Sequence, residues 1–197
     1  MNMDDGQAAG RPRDGSIDIA VIEATRSLLV ERGYAGFGMG MIASRAGTTR
    51  QAIYRRWANK ALVVLDTVFA ETTADIPDIG ELRTELEMAT GALAKQFNDP
   101  VARSAVGGLL ADLSADPDLH ARVRAGLLEA EHARVRAVLE RAAVREEINR
   151  DTDLGAVVEA IGGAIVYRTC FMGEEADGAF VEAVVDLAVK GTRKEPE

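Results

Sequence analysis

The chain has 197 residues, 47% of them hydrophobic, and a formal net charge of −9, enough apolar material for one substantial core or a small domain joined to a medium one. One cysteine, Cys170, excludes an internal disulfide framework and a thiolate-rich zinc site, and His120 and His132, far apart in sequence, leave few ligands for metal or cofactor chemistry. No run approaches the roughly 18 to 20 apolar residues of a membrane span, and the opening MNMDDGQAAG lacks the apolar core of a secretory signal, so the expected location is the cytoplasm, without a membrane partner.

Residues 1–15, rich in Gly, Pro, Asp and Arg, hold too little apolar surface to offset the entropy cost of ordering and read as a disordered arm. From Ser16, a residue suited to an N-cap, Ile17, Val21, Ala24 and Leu28 recur at helical spacing until Gly33 supplies a stop. A short apolar helix follows over Met39 to Ala46, ending at Gly47. Thr49 then caps another through Trp57, and a longer helix runs from about Asn59 into the Thr72 region.

Charge is divided unevenly along the chain. Residues 1–60 carry nine Lys or Arg against six Asp or Glu, a net +3, whereas residues 61–197 carry fourteen against twenty-six, a net −12. The 28 residues from Gly33 to Lys60 contain Arg45, Arg50, Arg55, Arg56 and Lys60 and no acid at all. A cationic module on an acidic body fits a phosphate backbone on one face only. Within that module, Ala43 is small where two helices must cross, Gly47 stands where a tight turn needs positive φ, and Ile42, Ile53 and Trp57 can hold the pair from inside. The pattern is that of a helix-turn-helix. If Ile53 and Trp57 face the core, Arg50, Gln51 and Arg55 project toward a major groove, with Tyr54 and Lys60 at the sides for phosphate contact.

The ordered string Gly33-Tyr34, Ile42-Ala43, Ala46-Gly47, Tyr54, Trp57 and Lys60 resembles the DNA-binding domain of TetR-family transcriptional regulators. That resemblance implies an all-α chain with a DNA-binding domain over 16–60 and a helical effector-binding and dimerisation domain over 61–197. It also implies roles: Thr49 as a phosphate-contacting cap, Arg50 and Gln51 as base readers, Tyr54 and Arg56 as backbone contacts, and Lys60 as a phosphate anchor. Arg55 suits either purpose, and Arg45 completes the cationic set. Two departures are visible, Gly38 where the family often has a capping Ser or Thr, and Trp57 in place of the commoner Phe. A glycine at an N-cap costs only a few tenths of a kcal/mol against a side-chain cap, so the helix is expected to form.

The body reads as helices over Ile79 to Phe97, Val101 to Leu113, Leu119 to about Ile148, Leu154 to Met172 and Ala179 to Gly191, about nine in the whole chain, separated by Asp and Pro clusters. Asp116-Pro117-Asp118, Glu147-Ile148 before Asp151-Thr152-Asp153, and Tyr167-Arg168 resemble the C-terminal domain of a TetR-like subgroup common in actinobacteria. Ala156, Ala160, Gly163 and Ala164 keep one side of a helix thin, and Val181, Val184, Val185, Ala188 and Val189 form an apolar band on the next. Two copies pairing there would form a four-helix bundle and a twofold homodimer. For a small-molecule effector, Met88, Phe97, Leu109, Leu110, Leu113, Leu127, Leu128, Tyr167 and Phe171 are the apolar lining, with Arg124, His132 and Arg168 as polar groups.

The function expected is a ligand-responsive regulator, a repressor by family, binding a palindromic double-stranded operator. The alternatives are a helical-bundle ligand carrier or an interaction adaptor without DNA binding. An enzyme is disfavoured, because the body has no Glu-x-x-His pair, no His cluster and no Gly-rich phosphate loop.

Overall fold

Helix α1 (Gly15–Arg32) turns Val21, Leu28 and Leu29 inward, each at most 1% exposed, so the apolar spacing does bury one stripe. It begins one residue before Ser16 and ends where Gly33, at φ 65°, donates its N–H to Leu29 O at 2.9 Å. The computed structural model describes residues 15–69, 75–125 and 129–193, and among these every element is helical. Most of the expected N-terminal arm, the extension toward Thr72, and the cavity positions Leu127 and Leu128 lie outside the described residues.

After one 3₁₀ turn at Tyr34–Gly36 come α2 (Met39–Arg45), α3 (Arg50–Tyr54) and α4 (Lys60–Phe69). The chain continues through α5 (Leu82–Asn98), α6 (Pro100–Ala115), α7 (Pro117–Val123), α8 (Glu129–Val144), α9 (Leu154–Val166) and α10 (Gly178–Thr192). The Asp clusters that punctuate the sequence are helix N-caps: Asp99, Asp116, Asp153 and Asp177 each accept an N–H from the first turn that follows. Pro100 and Pro117 sit in first turns, where a missing N–H costs nothing.

The helix expected from Leu119 to about Ile148 is seen as α7 and α8, residues 126–128 between them lying outside the described residues, which hold ten α-helices. One stretch differs from expectation. The last turn of the Leu154 to Met172 helix is a π turn, Tyr167–Phe171, in which the Met172 N–H reaches back to Tyr167 O at 3.0 Å. Leu154–Phe171, mean hydropathy 1.4, is also long and apolar enough to cross a membrane by length and composition alone, although Glu159 and Arg168 interrupt it. Val158, Ile161 and Ile165 on its inner side are buried, and α9 packs against α5 and α8.

One hydrophobic cluster joins α1–α4 to Val101, Ala105 and Leu109 of α6 and Leu119 and Val123 of α7. A second gathers α5, α8, α9 and α10 with Val106 of α6. Helix α6 therefore belongs to both cores, and α4 is packed between α1 and α6.

Candidate nucleic-acid interface

Helix α2 ends in a paired backbone motif: the Thr48 N–H donates to Ala43 O at 2.9 Å and the Gly47 N–H to Ser44 O at 3.4 Å, with Gly47 at φ 62°. Those two bonds satisfy carbonyls that the helix end would leave open, and the positive φ is why glycine stands there. Two residues on, the Thr49 hydroxyl accepts the Ala52 N–H at 3.1 Å and starts α3. Helix α2, by contrast, begins at Gly38 with no side-chain cap. Ile42, Ala43 and Ile53 are buried between the two helices, and Trp57 closes the base, its indole N–H donating to Asp66 at 2.6 Å. Helix α3 stops at Tyr54, shorter than the Thr49 to Trp57 span expected, so Trp57 packs from the turn beyond it.

With Ala52 and Ile53 sealed, Arg50, Gln51, Tyr54 and Arg55 all face outward, Tyr54 at 51% exposure. These four make no side-chain hydrogen bond or ion pair within the described residues. The Arg50 stem crosses α2 at Gly40, where a methyl would lie 3.8 Å from its Cδ. The other cations differ. Arg45 pairs with Glu31 of α1 at 2.6 Å, a bond that holds Glu31 below its ordinary carboxyl value, and Arg56 pairs with Asp18 of α1 at 2.5 Å. The acid-free window of the sequence is thus not acid-free in space, because α1 supplies two carboxylates to it.

Lys60 opens α4 behind the Asn59 side chain, which accepts the Leu62 N–H at 3.0 Å. Its ammonium lies 3.8 Å from the centre of the Tyr34 ring and donates to Tyr34 O at 3.0 Å. Burial lowers its basicity, and the Asp112 carboxylate works against that shift. Tyr34 itself donates its hydroxyl to Asp112 of α6 and rests against Gly108, where a Cβ would fall 2.1 Å from its ring. Tyr34 was singled out in the sequence only as part of the Gly33-Tyr34 string, and Gly108 not at all. Only the glycine's place in an otherwise regular helix marked it.

In the body, an open groove between α9 and α10 is lined by Ala156, Ala160, Ala164, Val184 and Ala188 together with Leu187, which is 74% exposed. Val181 and Val185 of the expected interface are instead in the chain's own core, Val185 fully buried, because α10 packs that face on α5. Gly163 lies on the other side of α9.

Among the described residues, two apolar cavities flank the second core. One, of 280 Å³, lies between α4, α6 and α7 and takes Leu109, Leu110 and Leu113 with His120; the other, of 290 Å³, lies between α5, α8 and α9 and takes Gly163 with His132. Phe97 lines both. Met88, Arg124, Tyr167, Arg168 and Phe171 line neither. Met88 points to solvent, and Arg124 lies 3.9 Å from Glu129 on the surface. The π turn swings Tyr167 and Phe171 outward, where their rings stack at 5.9 Å, and Arg168 pairs with Glu174. The residues missed, Phe69, Leu93, Ile161 and Val166, carried no signal beyond helical spacing shared with any core position.

A capped helix-turn-helix with outward arginines, carried on a larger helical body, defines the class: a DNA-binding transcriptional regulator. Residues 21–66 match the model of bacterial regulatory proteins, tetR family, and residues 76–188 that of the tetracyclin repressor-like C-terminal domain. The chain belongs to the TetR family of transcriptional regulators.

Among relatives, it is 28% identical over 187 residues to the HTH-type transcriptional regulator YdeS of Bacillus subtilis (strain 168), covering 93% of each chain. It is 28% identical over 170 residues to the DNA-binding transcriptional repressor TetR of Mycobacteroides abscessus, covering 85% of this chain and 88% of that one. The solved TetR family regulator SCO0332 superposes with a TM-score of 0.71 at 25% identity over 91% of this chain and all of the other. The regulator FadR from Bacillus subtilis, solved in complex with stearoyl-CoA, superposes at 0.69 with 16% identity, over 89% and 99% of the two chains.

Proposed function

We propose that this protein is a cytoplasmic, ligand-responsive repressor that binds a palindromic operator as a twofold homodimer. The observation that carries the reading is the outer surface of α3. Arg50, Gln51, Tyr54 and Arg55 stand together on the rim of a rigid turn, with no intramolecular bond within the described residues to hold them back from a groove. Arg50 and Gln51 suit the donor and acceptor code of base edges, and Thr49, Tyr54 and Arg55 suit phosphates. Lys60 spends one of its three donors on Tyr34 and keeps two for a backbone phosphate. Arg45 and Arg56 would reach phosphates only by exchanging Glu31 and Asp18, so they are assigned secondary contacts.

The groove between α9 and α10 supports the dimer. An apolar helix whose small-residue side, Ala156 and Ala160, is open to solvent is suited to a second copy of itself, and Leu187 would enter the partner's groove. Two heads spaced about 34–36 Å apart would meet successive major grooves. The effector reading rests on the two cavities and on α6, which lines one of them and touches the head through Gly108 and Asp112. An effector can shift the heads only by its differential affinity for two states, usually about 1–3 kcal/mol.

Mobility shift and footprinting with duplex DNA flanking the gene test the reading. The expected result is a protected inverted repeat with half-sites one helical turn apart and two protomers per duplex. Absence of any protected site at low salt would contradict it.

A further inference from the structure

The two body cavities share three lining residues, Phe69, Phe97 and Val166. The Phe69 and Phe97 rings meet edge to face, centroids 6.2 Å apart and planes at 66°, and they form the wall between the cavities. Each cavity alone, at 280 and 290 Å³, falls just under the range of about 300–1,000 Å³ typical of small-molecule sites, whereas the two joined end to end lie well within it. Phenylalanine side chains occupy staggered rotamers and carry no polar atom that must be re-satisfied, so this wall can part without breaking a hydrogen bond.

The two ends differ in chemistry. Among the described residues, the cavity between α5, α8 and α9 is bordered by the polar side chains of Gln96, His132, Arg134 and Glu159. The cavity between α4, α6 and α7 ends on leucines and valines, with only Ser114 and His120 as polar edges.

Resting on the reading of the body as an effector domain, we propose that Phe69 and Phe97 are a displaceable partition, and that the ligand is an unbranched long-chain amphiphile lying through both cavities. Its anionic head lies beside His132 and Arg134, and its tail passes the parted rings to end against Leu109 and Leu113. A compact or branched ligand would fill one cavity and leave the wall closed. A chain long enough to cross it must move Phe69, which occupies the last residue of α4, the helix that begins at Lys60 beside the DNA-reading turn. The tail then acts on the head through the element that connects them.

Chain-length dependence tests this directly. Calorimetric titration with decanoate and hexadecanoate, both below their micelle concentrations, is compared for the wild-type protein, Leu110→Trp and Gly162→Leu. Leu110 is 46% exposed and lines the tail cavity, and a Cβ at Gly162 meets nothing within 4 Å, so neither change disturbs the packed core. The expected result is at least tenfold tighter binding of hexadecanoate than decanoate by the wild type. Leu110→Trp should remove that advantage while leaving decanoate within twofold, and Gly162→Leu should weaken both. Equal affinity for the two chains, no binding of either, or an unchanged preference in Leu110→Trp would overturn the partition. If the chain-length pattern appears but hexadecanoate leaves DNA affinity unchanged, the site stands and the effector reading fails.

Discussion

At Gly108 the ring of Tyr34 occupies the space a side chain would need, so the head is seated on the body through a glycine. Gly108→Ala is expected to push Tyr34 and α6 apart and to destabilise the fold by about 1–3 kcal/mol, the usual cost of overpacking, read as a lower urea midpoint. Among the cations, folding sets two pairs of arginines apart. Arg50 and Arg55 remain outward, whereas Arg45 and Arg56 are drawn to Glu31 and Asp18 by the approach of α1, a contact between distant positions that no local window contains. The α3 residues were legible because their environment is set by a four-residue spacing to Ile53 and Trp57. Lys60→Ala is expected to weaken binding to all duplexes and flatten the slope of log affinity against log salt by about one, whereas Arg50→Ala costs about 1–3 kcal/mol at one base position.

At the scale of elements, helix α5 is pinned by Glu85, whose side chain is fully buried. One oxygen accepts the N–H groups of Ile79 and Gly80 at 3.1 and 2.9 Å, and the other takes Arg141 at 2.7 Å. Burial alone would raise its pKa, but the bonds from Arg141 and the Gly80 N–H outweigh burial and hold it below the ordinary 4.5. A depressed carboxyl contributes stability that is present above its unfolded-state value and lost as pH falls through the folded one. Stability is therefore expected to drop as pH is lowered below about 4.5 and to do so less in Glu85→Gln. Removing the charge at neutral pH leaves the partly exposed Arg141 with only Asp78 at 3.7 Å and the Ile76 carbonyl, and is expected to cost about 1–3 kcal/mol by chemical denaturation. Helix positions were readable from period and from the Asp and Pro clusters that separate them. The π turn after α9 was not, since it interrupts an apolar pattern that continues unbroken in the sequence.

For the molecule as a whole, the cavities were the least legible feature. Phe97, Leu110 and Leu113 were found and Phe69 and Val166 missed, because an apolar residue that borders empty space and one that fills it carry the same periodicity. The proposed interface was half legible for a related reason: spacing identified the apolar sides of α9 and α10 but not which of them α5 already covers. Leu187→Glu, on the open side, is expected to give folded monomers by sedimentation, whereas Val185→Glu is expected to unfold the chain, a contrast that circular dichroism separates.

The most direct measurement of the central claim is fluorescence anisotropy of the flanking-DNA duplex against a scrambled duplex of equal length, with wild-type protein and the Arg50→Ala, Gln51→Ala double variant. Reading of bases by α3 predicts that the wild type prefers its own duplex by at least a hundredfold and that the double variant, with unchanged helix content, binds both alike. A double variant that keeps the wild-type preference would contradict it.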